Sequence, residues 1–336
     1  MTGKERFNAI AAGKSETCGF WHGEPNHASI ENLYAYFGVN NDFELGLKLG
    51  SCCRWVRPEN HHAWVKNEPM FDTLGGRDRS SLNQNGIFAE TEDPAEVEDF
   101  PWQDPQSLDF GETLREIDKT IQAGQAVLSG TWSSFFHVAC DFFGMEQYFI
   151  KMHTDPDVVD AVTRHITDFY LAANEKLFKL AGNKIDGFFF GNDFGSQLDL
   201  LVSLEHFDRY IMRYFNEFID QARRYGYKVI LHSCGAIDRV IPRFIESGVD
   251  ILHPIQALAK NMDAQSLAEK YNGKIIFMGG VDTQHLLPFC GPDDVRNEVK
   301  RLKNLFGPSF IVSPSHESIL PNVPPENIAA MAEAVQ

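Results

Sequence analysis

From about Val127 onward this chain of 336 residues alternates short apolar runs with amphipathic segments, a rhythm that few folds can accommodate. The runs are Ala126 to Thr131, Gly187 to Gly191, Lys228 to Ser233, Asp250 to Ile255, Lys274 to Gly280 and Phe310 to Ser315. Between them lie helix-like stretches: Pro156 to Leu180, Ser203 to Tyr225, Ile237 to Glu246, Asp263 to Tyr271, Pro292 to Leu305 and Pro325 to Ala334. Several open on Pro or Asp in the first turn, as helix starts do. Strands that alternate with helices build a parallel sheet, because each parallel neighbour needs a crossover connection. Nearer the N-terminus, Cys18 to His22 reads as a strand followed by a helical Ala28 to Phe37, and Leu49 to Val56 completes a set of eight. The expectation is an α/β protein, a (β/α)8 TIM barrel occupying residues 1–336 as one domain.

One segment breaks the rhythm. Asn60 to Phe100 is rich in Gly, Asn, Asp and Trp, with Gly75-Gly76 and Asn85-Gly86 as hairpin turn signals. It reads as an inserted, hairpin-rich excursion, either decorative or serving as a lid or docking surface near the barrel mouth.

The formal charge of -17 excludes a nucleic-acid surface, which would need clustered Lys and Arg against phosphates. Six cysteines (Cys18, Cys52, Cys53, Cys140, Cys234 and Cys290) show neither disulfide-framework spacing nor a CxxC knuckle, which fits a reducing cytosol. The start, Met1-Thr2-Gly3-Lys4-Glu5-Arg6, has no apolar core after its charges, and no stretch reaches the roughly 18 apolar residues of a membrane span. A cytoplasmic protein with no membrane partner is expected.

Chemistry in such a barrel is assembled at the carboxyl ends of different strands. The ends here are polar. The first run closes in Trp21-His22-Gly23-Glu24, the Gly187 run in Gly191-Asn192-Asp193, and the central run in His232-Ser233-Cys234-Gly235. The later ends are His253-Pro254-Ile255-Gln256, Gly279-Gly280-Val281-Asp282 and Ser313-Pro314-Ser315-His316-Glu317. Imidazole and thiolate two residues apart suit zinc, and buried ionisable groups are costly unless paired or metal-bound. His232, Cys234 and His316 supply three protein ligands and leave one position open, with Glu317, Asp193 or His22 as replacements for His316. Asp193 also reads as a helix N-cap. His22, Asn192, His253, Gln256 and Asp282 are candidates for orienting a substrate, against local loop hydrogen bonding. Trp21, Trp132, Phe135 and Phe136 either line the mouth or pack the rim.

With these residues in view, the chain resembles the uroporphyrinogen decarboxylase superfamily, and within it the cobamide-dependent methyltransferase branch. The motifs are Gly191-Asn192-Asp193-Phe194-Gly195, His232-Ser233-Cys234-Gly235, Asp250-Ile251-Leu252-His253-Pro254-Ile255-Gln256, Gly279-Gly280-Val281-Asp282-Thr283-Gln284 and Ser313-Pro314-Ser315-His316. In the methylcobamide:coenzyme M methyltransferases of that superfamily, a His-x-Cys-Gly motif and a later Cys hold a zinc that binds the acceptor thiol. His232 and Cys234 match the motif, and His316 stands where the last Cys is placed. The resemblance implies a zinc-dependent transfer of a methyl group between a corrinoid on a partner protein and a small thiol or folate-type acceptor. Asp193 and Glu317 would act as carboxylates at the centre, and a homodimer is compatible with this reading. The decarboxylase proper carries an arginine-rich N-terminal motif that this chain lacks, and a tetrapyrrole with eight carboxylates needs such cations. The alternatives are a cofactor-free lyase acting on another acid, with Asp193 or Asp282 stabilising a developing cation, and a barrel that binds metal or corrinoid without turnover.

Overall fold

All eight apolar runs form strands, and all eight strands are parallel, in the computed structural model, which describes residues 1–61, 70–81 and 83–336. They are β1 Gly19–Phe20, β2 Cys53–Val56, β3 Ala126–Ser129, β4 Gly187–Gly191, β5 Lys228–His232, β6 Ile251–His253, β7 Ile276–Val281 and β8 Phe310–Pro314. Neighbours in the chain are neighbours in the sheet from β2 through β8, and β8 pairs with β1. Across the remaining seam the Cys52 N–H donates to the Phe20 carbonyl at 2.8 Å. Helices surround this nearly closed (β/α)8 barrel.

The two-residue period of each strand separates two apolar populations. Cys53, Trp55, Ala126, Leu128, Phe189, Ile230, Ile251, Met278 and Ile311 form one buried cluster inside the barrel. Their alternates, among them Val127, Phe188, Phe190, Val229, Leu231, Leu252 and Val312, belong to the larger cluster shared with the helices. Phe7, Ile10 and Ala11 of the helix Gly3–Ala11 join the interior cluster and close the barrel floor. That helix starts in a capping box, with the Thr2 hydroxyl accepting from Glu5 N–H and the Glu5 carboxylate accepting from Thr2 N–H.

The outer helices follow the sequence periodicity. Pro156–Ala181 buries Val158, Val159, Val162, Ile166, Ala173 and Leu177 at helical spacing. Asp263 caps Ala264–Tyr271 by accepting from Ser266 N–H at 2.9 Å, and Pro292–Phe306 and Pro325–Glu333 begin on proline. β2 is shorter than the apolar run Leu49 to Val56, because Leu49 ends the helix Asp42–Leu49 and Gly50 caps it at φ 77°.

The excursion between β2 and β3 differs from the hairpin expectation. Among the described residues, none between Val56 and Ala126 lies in a strand, and the only α-helices there are Ala95–Glu98 and Gly111–Gln122. Gly75 and Gly76 turn the chain at φ 62° and 74°, but no period-two pattern follows them. Gly86 instead permits close approach, since a Cβ there would lie 2.2 Å from the Phe142 carbonyl oxygen. Phe71, Phe88 and Trp102 pack on Phe142, so the segment is held by aromatic burial rather than by a ladder. The stretch 62–69 and residue 82 lie outside the described residues.

Candidate metal centre at the barrel mouth

Strand register builds the centre. Gly191, His232 and His253 sit side by side at the carboxyl ends of β4, β5 and β6. His232 and Ile230 share a face, as do His253 and Ile251, so both rings continue the interior stack toward the mouth. Both histidines are buried. Trp132 lies 5.2 Å from the His232 ring and occupies the space above Gly191, where a Cβ would come within 2.3 Å of it.

The loops that follow bring in carboxylate and thiol. Asp193 Oδ1 lies 3.2 Å from His232 Nε2, and Cys234 Sγ lies 3.4 Å from the same nitrogen. Asp193 is also fixed by the Cys234 N–H, which donates to its Oδ1 at 2.8 Å. This carboxylate therefore ties two strand ends together and caps no helix. Donor atoms of Asp193, His232 and Cys234 all lie within 4.8 Å of one another, as do those of His232, His253 and Glu317. For tetrahedral zinc with bonds of about 2.0 to 2.3 Å, ligand atoms stand about 3.3 to 3.7 Å apart, close to the separations of Asp193 Oδ1 and Cys234 Sγ from His232 Nε2.

Behind this set, His232 Nδ1 lies 3.0 Å from His253 Nδ1 and 3.4 Å from Glu317 Oε2. A ring that ligates through Nε2 carries its proton on Nδ1, and these are the groups that would accept it. His253 Nε2 and Glu317 Oε2 are buried and have no hydrogen-bond partner among the described residues. Burial resists a charge on His232, yet Glu317, Cys234 and Asp193 hold its pKa well above the ordinary value. For Asp193, burial is outweighed by the hydrogen bond and charge of His232, and its carboxyl stays well below the usual range. Burial raises the Cys234 thiol, with His232 opposing, and burial together with His232 depresses His253.

His316 stands on the rim, with its ring 6.1 Å from that of His232 and its Nδ1 accepting from Ser318 N–H at 3.0 Å. It belongs to neither ligand group, while its Nδ1 lies 3.3 Å from Glu317 Oε2. His22 faces away from the centre, because Trp21 takes the interior position of β1's end; its ring nitrogens meet Ser51 Oγ at 2.9 Å and Asp42 Oδ1 at 3.0 Å. Asn192 is buried, accepting from Phe136 N–H and donating to the Ser133 carbonyl. Asp282 accepts from the N–H groups of Gln284, His285 and Leu286 and shapes its own loop. Gln256 accepts from Gly235 N–H. Phe135 and Phe136 are core residues, whereas Trp132 is partly exposed at the mouth. Sequence reasoning missed His137, whose Nε2 lies 3.2 Å from both the backbone nitrogen and the carbonyl oxygen of Asp193. It also missed Glu59, which accepts from Trp132 N–H at 2.7 Å.

A parallel barrel with a His, Cys and carboxylate cluster at the carboxyl ends of its strands defines an α/β-barrel protein with a candidate metal centre. The chain belongs to the uroporphyrinogen decarboxylase (URO-D) family, which it matches over residues 85–336. A search of curated proteins finds no match. Among solved structures, a methyltransferase from Methanosarcina mazei superposes with a TM-score of 0.67 at 16% identity, covering 100% of this chain and 98% of that one. That likeness establishes the shared fold. Dispersin B aligns at a TM-score of 0.40 and 13% identity, over 67% of this chain and 75% of its own. No helix among the described residues is long and apolar enough to cross a membrane.

Proposed function

We propose that this protein is a zinc-dependent methyltransferase that moves a methyl group between a corrinoid, carried by a partner protein, and a small thiol or folate-type acceptor. The observation that carries this reading is the clustering of Asp193, His232 and Cys234 donor atoms at zinc-compatible spacing on an open barrel mouth. Likeness to a methyltransferase across the whole chain supports it. Asp193 Oδ1, His232 Nε2 and Cys234 Sγ would hold the metal. Zinc, when bound there, lowers the pKa of a coordinated thiol so that it is a nucleophile at neutral pH.

His253 and Glu317 hold the His232 ring by its Nδ1 edge, which fixes the tautomer that presents Nε2 to the mouth. Glu317, close to both His232 and His316, is placed to accept a proton leaving the acceptor. Trp132 shields the His232 ring on its β4 side. Leu198 and Leu258, 72% and 51% exposed on the loops after β4 and β6, offer apolar rim surface to a corrinoid carrier.

The test is elemental analysis of the purified protein together with demethylation of methylcobalamin, followed by absorbance, against thiols and tetrahydrofolate. Near-stoichiometric zinc and transfer, both lost in His232→Ala and Cys234→Ala, are expected. Undiminished activity of metal-free protein, or zinc and turnover retained by Cys234→Ala, would falsify the reading.

A further inference from the structure

A cavity adjoins the centre, at the carboxyl ends of β6, β7 and β8. It has a volume of about 470 Å³ and reaches His316 on its inner side. Gln256, Gln284 and Asn322 contribute amides, Thr283 a hydroxyl, and Phe289 and Leu320 apolar flanks that are 72% and 45% exposed. Gln256 uses its carbonyl oxygen on Gly235 N–H, the residue after Cys234, so the cavity wall is continuous with the metal loop. Its NH2 has no hydrogen-bond partner among the described residues. Nothing in the architecture of the site otherwise accounts for this collection of amides around an open space.

Charge decides what fits. Among the described residues, no Lys, Arg, Asp or Glu lines the cavity. Glu317, whose Oε2 lies 3.3 Å from His316 Nδ1, brings a carboxyl group to the cavity's inner end. A sulfonate or carboxylate tail lodged here would lose its hydration with no Lys or Arg on the cavity wall to pair with it, and would face the Glu317 carboxyl. A neutral molecule meets hydrogen-bonding amides and a hydroxyl on one side and apolar surface on the other, the mix that small-molecule sites present.

We propose that this cavity is the subsite of the small methyl acceptor, and that it takes an uncharged thiol bearing hydroxyl, amide or aromatic groups in preference to an anionic one. The inference rests on the methyltransferase reading and narrows it, since folates carry carboxylates. Its probes are the S-methylated products, which lack the thiolate that would otherwise dominate binding to a metal.

Binding of methylthioethanol and thioanisole is compared by calorimetry with that of methylthioethanesulfonate and methylthiobenzoate, on the zinc-replete full chain without corrinoid. At least one neutral compound is expected to bind about tenfold or more tightly than its anionic counterpart. Gln284→Trp and Asn322→Trp, both at exposed positions, are expected to weaken that binding about tenfold or more while zinc content stays unchanged. Equal or tighter binding of the anions, no binding of any probe, or binding indifferent to both tryptophans overturns the proposal. A neutral preference that the tryptophans abolish, in a protein that transfers no methyl group, supports the cavity assignment and removes the methyltransferase reading alone.

Discussion

Asp193 does at the residue scale what no helix cap does: it joins the β4 and β5 ends through Cys234 N–H and His232 Nε2. If it is a zinc ligand, Asp193→Asn removes its charge with little change in shape. Zinc affinity, measured by chelator competition, is expected to fall about 10- to 100-fold. His316→Ala, on the rim and outside the ligand group, is expected to change it less than about threefold. A larger loss in His316→Ala than in Asp193→Asn would make His316 the third ligand. Exposure sorts the six thiols as well, because Cys290 is exposed and the other five are buried. Titration with a thiol reagent is expected to show one fast-reacting group, removed by Cys290→Ser, and a slow Cys234 that zinc protects.

At the scale of elements, close backbone approach shapes the metal loop. Gly235 has φ 92°, and a Cβ there would lie 2.1 Å from the Gly195 carbonyl oxygen, which belongs to the loop after β4. Gly235→Ala therefore combines backbone strain with a clash against main chain. A loss of about 1 to 3 kcal/mol is expected, read as a lower Tm, with weakened zinc binding. Away from the centre, Arg243 of the helix Ile241–Ser247 donates from Nη2 to Asp208 Oδ2 at 2.8 Å. The Arg243 hydrogen bond, with its charge, holds the Asp208 carboxyl below its ordinary value against a smaller opposing effect of burial. A carboxyl depressed in the folded state contributes stability above its unfolded pKa of about 3.8 and loses it as pH falls through the folded value. The pair is half open to solvent, so the contribution is less than about 1 kcal/mol. Asp208→Asn is expected to lower Tm slightly at pH 7, with the difference from wild type shrinking below about pH 4.

For the molecule as a whole, the barrel interior is sealed below by the N-terminal helix and open above at the centre. Phe7 is fully buried within the interior cluster, so Phe7→Ala leaves a cavity at the floor. A cost of about 3 to 5 kcal/mol is expected in urea unfolding. Zinc content of the folded fraction should be unchanged, because the floor and the mouth lie at opposite ends of the strands. Loss of zinc from folded Phe7→Ala would show that the two ends are coupled.

Local pattern was enough for much of this. The apolar runs marked all eight strands because a parallel strand is buried on both faces and must read as continuous apolar chain. The strand-end rule placed His232 and Cys234 at the mouth, since side-chain alternation and strand direction are set by backbone geometry alone. The hairpin reading of Asn60 to Phe100 failed across its described residues because Gly75-Gly76 and Asn85-Gly86 specify bends and close contacts, while aromatic packing on Phe142 chooses their partners. Strand ends alone could not tell Asn192, spent on the segment after β3, and Asp282, spent on its own loop, from Asp193, which faces His232. His22 and Trp21 are adjacent in the chain, yet only Trp21 enters the barrel interior. The sequence by itself determined the class of fold and the strand ends that bear chemistry, because both follow from periodicities of a few residues. Only the tertiary structure decided which acid meets His232 and where the amide-lined cavity opens, because those distances depend on sheet register and loop packing between residues far apart in the chain.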